Sequence, residues 1–183
     1  ALHNRNYRWF MLSGTLEPAG FMMQMFTVSW LLLELTNSLS QLGIMVFLQG
    51  APMLVALFFA GVVADRMDRR KLLILSLLLL SINMIVLGTL AITNSAEVWH
   101  IYVVAVVSGV GRGFNGPTRI SMIPGLVDRR DLMNANSLNS TLMTIAMLVG
   151  PLMAGVIIQW IGIGQALFLT AGSYIAASVG LHP

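Results

Sequence analysis

The sequence predicts an all-α membrane protein built from six transmembrane helices, and three observations carry that prediction. Charged residues make up 9% of the 183 positions and hydrophobic residues 57%, against about 25% and 45–50% in an ordinary soluble domain. Ten basic and seven acidic side chains cannot cover the surface of a soluble fold of this length. The apolar runs approach the roughly 20 residues that a bilayer-spanning helix needs. They are also continuous, without the period-two alternation of a membrane barrel. Backbone polar groups must be satisfied inside hydrocarbon, so such runs are helices.

The elements follow in order, each bounded by turn or polar residues. Helix 1 is expected over 9–35 and stops at "TNSLSQ"; helix 2, over 39–64, stops at "DRMDRRK". Helix 3, over 71–93, follows Asp68, a carboxylate placed to cap its first N–H groups, and stops at "TNSAE". Helix 4 is expected over 98–120, helix 5 over 135–160 after "PGLVDRRDLMNAN", and helix 6 over 164–181 after "IGIG". Together they form one six-helix bundle spanning 1–183.

Basic residues set the orientation. Arg5 and Arg8 precede helix 1, Arg66, Arg69, Arg70 and Lys71 join helices 2 and 3, and Arg119, Arg129 and Arg130 surround the connection of helices 4 and 5. The connections 1–2, 3–4 and 5–6 contain no Lys or Arg. The positive-inside rule then makes both termini and the charged connections cytoplasmic, as in a bacterial inner (cell) membrane protein. Trp9, Trp99 and Trp160 fall near the interfaces where aromatic belts form.

Several function classes are excluded. The net charge of +3 invites a nucleic-acid partner, but topology explains the basic residues. With no cysteine, thiolate metal sites, disulfides and cysteine nucleophiles are absent. His3, His100 and His182 are dispersed without metal-ligand spacing. "GVGRGFNG" follows no strand and lies inside a span, so it fails the context of a dinucleotide loop. The first apolar run is too long for the hydrophobic region of a signal peptide. Neither an enzyme nor a cofactor is expected; the bilayer is the expected partner.

The polar residues inside the spans are the candidate sites. Glu17 lies about 12 Å of helix rise from Trp9. A carboxylate there is costly to ionise, which makes it a proton carrier or a site for a cationic substrate, unless it simply pairs with a neighbouring Arg. Gln24 and Thr27 share its face, whereas Glu34 at the outer end reads as solvated. Pro18, next in sequence, perturbs the local helix. On helix 4, Ser108, Arg112, Asn115 and Arg119 recur at spacings of four, three and four on one face. Such a stripe suits a water-filled cavity or an ion pair; snorkelling of Arg112 is the plainer alternative. Ala146, Gly150 and Ala154 form a small-residue packing stripe on helix 5. Pro151 removes a backbone hydrogen bond beside it. Asn136 and Asn139 line a path or cap that helix.

Six of the seventeen charges fall in "GVVADRMDRRK". Its basic residues either set topology alone or take part in a gate. Asp65 sits at the negative end of helix 2, where an anion is disfavoured. It therefore needs an Arg or the N-terminus of another helix. Gly61 would let two helix backbones approach.

Gly61, Asp65, Arg66, Arg69 and Arg70 stand where motif A of the major facilitator superfamily places them, with Asp68 at a position often given to Gly. "WLLLELTNS", "GRGFNGPTR", "LMNANSLNS" and "VGPLMAG" extend the similarity along nearly the whole chain. The sequence thus resembles the N-terminal half of a transporter in the drug and siderophore (enterobactin exporter-like) branch. Gly150, Pro151 and Gly155 resemble the antiporter motif C. The resemblance implies one half of a twelve-helix fold made as a 3+3 inverted repeat, and a second six-helix half from the same polypeptide or a dimer partner. It also implies alternating access with proton-coupled efflux of small hydrophobic or amphipathic compounds. Asp65 would then cap a second-half helix as a cytoplasmic gate, and Gly150-Pro151 would serve as a helix 5 hinge. An importer or facilitator, or a six-helix subunit that only assembles with a partner, are the competing expectations.

Overall fold

A computed structural model describes residues 5–126 and 132–181; within them the side chains of 5–12, 64–65, 120–126, 132–136 and 138–139 are not described. Six α-helices account for nearly all of it: α1 Arg5–Thr36, α2 Leu39–Arg66, α3 Arg69–Ile92, α4 Val98–Leu126, α5 Leu132–Trp160 and α6 Ile163–Val179. The fold class is all-α, with no strand among the described residues. The largest departure from the sequence reading is α4, which runs on through Pro117 and Pro124.

Local chemistry sets the turns. Asp68 is the N-cap of α3, and its Oδ1 accepts the Arg70 backbone N–H at 2.9 Å. α2 and α3 are thereby separated by Met67 and Asp68 alone. At the opposite end, α1 and α3 both stop at an asparagine of positive φ, Asn37 at 47° and Asn94 at 53°. Asparagine is the residue other than glycine that most readily takes this left-handed stop. Gly162, between α5 and α6, has φ 108° and ψ 167°, an extended positive-φ conformation that is essentially confined to glycine.

The helices pair in a pattern that maps onto itself when α1–α3 are exchanged with α4–α6. α2 packs on α4 as α5 packs on α1, α1 meets α6 as α4 meets α3, and α3 lies along α6 at the centre. This is the contact signature of a 3+3 repeat. Leu32, Leu73, Leu77, Leu80, Met84 and Leu167 are fully buried around that centre. α2 and α4 cross closely because α4 presents Gly113 to them: a Cβ there would lie 2.5 Å from the Ala56 Cβ and 2.6 Å from the Met53 carbonyl. On the other side, Ala146, Gly150 and Ala154 are all buried in α5. A Cβ on Gly150 would lie 2.7 Å from the Ala19 carbonyl of α1. The packing reading of this stripe therefore holds.

Segments of four helices are long and apolar enough to cross a bilayer on composition alone: Ser13–Thr36, Leu39–Val63, Arg69–Ile92 and Ser140–Trp160. α6 is apolar but has 17 described residues, and α4 carries arginines in its body. α2 and α5 turn large apolar side chains outward, among them Phe47, Leu54, Phe58, Leu148 and Leu152. Surfaces of this kind suit hydrocarbon or another apolar surface.

Candidate functional site at the α1–α4 interface

α1 and α4 approach each other less closely than the paired helices, and long polar side chains bridge them. Glu17 projects from α1 into the face of α4 and is 6% exposed. Its Oε2 accepts a hydrogen bond from Arg119 Nη1 at 3.1 Å, and its Oε1 lies 3.7 Å from Arg112 Nη1. The spacing of seven between the two arginines, two helical turns, lets one carboxylate face both. Arg112 does not snorkel: its guanidinium carbon sits 3.3 Å from the centroid of the Phe21 ring, a cation–π contact that helps hold charge in an apolar surrounding. Of the two uses anticipated for the stripe on α4, the structure realises the ion pair.

A second layer lies two turns further along α1. Gln24, 2% exposed, donates through Nε2 to Ser108 Oγ at 2.7 Å and accepts from the Tyr174 hydroxyl at 2.6 Å. Asn83 Nδ2 donates to the same Ser108 oxygen at 3.0 Å and to the Val104 carbonyl at 3.0 Å. Four helices thus meet in one buried network. Sequence reasoning placed Gln24 and Ser108 but missed Asn83 and Tyr174. Asn83 carried a usable signal, an amide within an apolar span; Tyr174 did not, because a tyrosine in a span reads as well for packing. Thr27 is buried on the expected face of α1.

Some polar atoms near these layers have no hydrogen-bond partner among the described residues. Both amide atoms of Asn115, the hydroxyls of Ser13 and Thr27, and Nε and Nη1 of Arg112 are in this state. An unsatisfied buried polar group destabilises by about 1–3 kcal/mol. The interface therefore holds spare hydrogen-bonding capacity beside the ion pair.

The "GVVADRMDRRK" residues are distributed differently. Gly61 is exposed, and a Cβ on it would meet nothing within 4 Å. Within this half nothing approaches it: α4, the chief partner of α2, packs on another face. Arg66 and Arg69 are exposed. Arg70 donates through Nε to the Leu181 carbonyl just beyond α6, where a cation meets orphan helix C-terminal carbonyls. Its contact is therefore within this bundle. The side chains of Asp65, Asn136 and Asn139, and residues Arg129 and Arg130, lie outside the described residues.

On α5, Pro151 lies within a continuous helix, and so does Pro18 on α1. Gly155 is less tightly held than Gly150: its nearest would-be contact is the Phe26 ring at 3.9 Å. Glu34 is exposed, with the Trp30 indole N–H donating to it at 2.7 Å.

Comparison with known proteins places this architecture. Residues 1–182 match the family described as transmembrane secretion effectors. The multidrug efflux pump Tap of Mycolicibacterium fortuitum is 28% identical over 157 residues, which is 83% of this chain and 38% of that protein. The enterobactin exporter EntS of Citrobacter koseri is 28% identical over 142 residues, 77% of this chain and 34% of that protein. EntS of Escherichia coli O1:K1 gives the same identity over the same length. The chain therefore spans little more than a third of these relatives, and the aligned proteins are transporters.

Proposed function

The chain belongs to the transmembrane secretion effector family of the major facilitator superfamily, and from that premise we propose that it forms the N-terminal half of a proton-coupled exporter. In this reading a second six-helix half completes the central cavity. Small hydrophobic or amphipathic compounds leave by alternating access, and both ends of this half are cytoplasmic at a bacterial inner membrane. The efflux activities named for Tap and EntS support export as the direction. The charge asymmetry of the connections supports the orientation.

One observation carries the proton coupling: a buried carboxylate of α1 is held between two guanidinium groups of α4. While Glu17 is ionised it attracts both arginines, by about 4 kcal/mol per close pair at the effective dielectric of a protein. Protonation removes that attraction and leaves Arg112 and Arg119 facing each other. The α1–α4 interface thus gains a reason to open when a proton arrives and to close when it leaves. The unsatisfied groups of Asn115 and Arg112 beside it supply hydrogen bonds for a substrate that enters the opened gap. Gly61, Asp65, Arg66, Arg69 and Arg70 form the gate toward the second half in this scheme. Exposure of Gly61, Arg66 and Arg69 supports that role. Gly150 and Pro151 set the contact about which α5 turns.

The test uses the full-length transporter in inverted membrane vesicles with an imposed proton gradient. Glu17→Gln keeps an acceptor for the arginines but cannot cycle a proton, so gradient-driven uptake of substrate into the vesicles should vanish while substrate exchange at equal pH persists. Undiminished gradient-driven uptake would remove Glu17 from the coupling.

A further inference from the structure

Away from the α1–α4 interface, the ends of α1, α3 and α5 and the first turn of α6 enclose a cleft of about 570 Å³, within the usual span of small-molecule pockets. Leu31, Leu35, Ile92, Ile158 and Ile163 give it apolar walls, and Glu34 is the one ionisable side chain on its lining among the described residues. All of these groups belong to this chain.

The charge on Glu34 is poorly compensated. It stands in the last turn of α1, where the helix dipole already disfavours an anion. α3 and α5 also bring their C-terminal ends to the cleft. No Lys or Arg occurs in the connections at this end of the bundle. The hydrogen bond from the Trp30 indole is a neutral one. The N-terminus of α6, on the cleft lining, opposes this with a partial positive charge. That charge is about half a unit, against a full unit on Glu34 and the partial negative charges of three helix ends.

We propose that this cleft binds an amphipathic organic cation, with its apolar body against the leucine and isoleucine walls and its charged group at Glu34. The walls supply affinity without direction, through burial of apolar surface. Glu34 supplies orientation and the preference for positive charge. Such a site lies at the end of the bundle away from "DRMDRRK", some four to five helical turns from Glu17, since Glu34 follows it by seventeen residues.

The experiment is equilibrium dialysis of labelled tetraphenylphosphonium with the purified chain in neutral detergent micelles, with empty micelles as the blank. One saturable site is expected. Glu34→Gln should weaken it about two- to fivefold, the size of an exposed charge interaction. Glu34→Asp, which restores the charge, should recover most of that loss. Ala96→Trp, which fills the cleft from the α3–α4 connection, should abolish binding with Glu34 intact. Triphenylphosphine oxide, neutral and of similar shape, should compete poorly. Wild-type affinity in both Glu34→Gln and Ala96→Trp overturns the proposal. So does equal competition by the neutral compound, or a loss of binding confined to Glu17→Gln.

Discussion

Gly150→Ala tests whether α5 meets α1 by backbone contact. An added Cβ at Gly150 would stand 2.7 Å from the Ala19 carbonyl oxygen, 2.8 Å from the Met22 Cβ and 3.2 Å from the Met23 nitrogen. Carbon contacts settle at about 3.5–4.0 Å, so the helices must part locally by roughly 0.7–1 Å, and a gap of that size forfeits a quarter to a half of each affected dispersion contact. Two of the three clashing atoms are backbone, so no side-chain rotation relieves them. Overpacking of this kind destabilises by about 1–3 kcal/mol. Replacing a helical glycine returns about 0.5–1 kcal/mol, which leaves a net loss of about 1–2 kcal/mol. Gly155→Ala is the internal control, because its new methyl would reach only the Phe26 ring at 3.9 Å. Unfolding of the purified chain in mixed dodecylmaltoside and SDS micelles, followed by far-ultraviolet circular dichroism, measures both. Gly150→Ala should unfold at a lower SDS fraction than wild type, and Gly155→Ala should match wild type or slightly exceed it. Equal midpoints for the two variants would refute the backbone-contact argument.

The same titration covers other sites. Gly113→Ala should show a net loss of about 1–2 kcal/mol, since its methyl would run into Ala56 and the Met53 carbonyl of α2. Gly61→Ala should be neutral or mildly stabilising in this chain, where nothing approaches it, yet impair transport by the full-length protein if the second half packs there. Asp68→Ala removes the α3 cap and should lower stability by about 1 kcal/mol. Tyr174→Phe leaves Gln24 Oε1 without its donor and should lose about 1–3 kcal/mol, with recovery in the double variant Tyr174→Phe/Gln24→Leu if the network is the cause.

The fold was legible because membrane insertion writes itself into composition and run length, and because turns such as "DRMDRRK" concentrate polar residues. The N-cap at Asp68 followed from its place before an apolar run. The pairing of helices was not legible, since apolar positions in α2 and α5 look alike whether they meet lipid or protein. Gly61 shows the difficulty: sequence marks a glycine that permits close approach, but only the packing reveals that nothing in this half approaches. Glu17, Arg112 and Gln24 were found as polar residues in spans. Which of them pair, and at what distance, was not legible, because the facing of α1 and α4 depends on the bundle as a whole. Phe21 beneath Arg112 and Tyr174 against Gln24 are ordinary apolar-span residues until that facing is known.

The layer formed by Tyr174, Gln24 and Ser108 bears on the proton path proposed above. Tyr174 gives its hydrogen to Gln24, whose amide gives one to Ser108. An amide neither takes up nor releases a proton near neutral pH, so the line of hydrogen bonds is an insulator and not a wire. It crosses the bundle between Glu17 and the end bearing Asn37 and Asn94. In the proposed exporter, these bonds would therefore not relay a proton from the end bearing Asn37 and Asn94 toward Glu17.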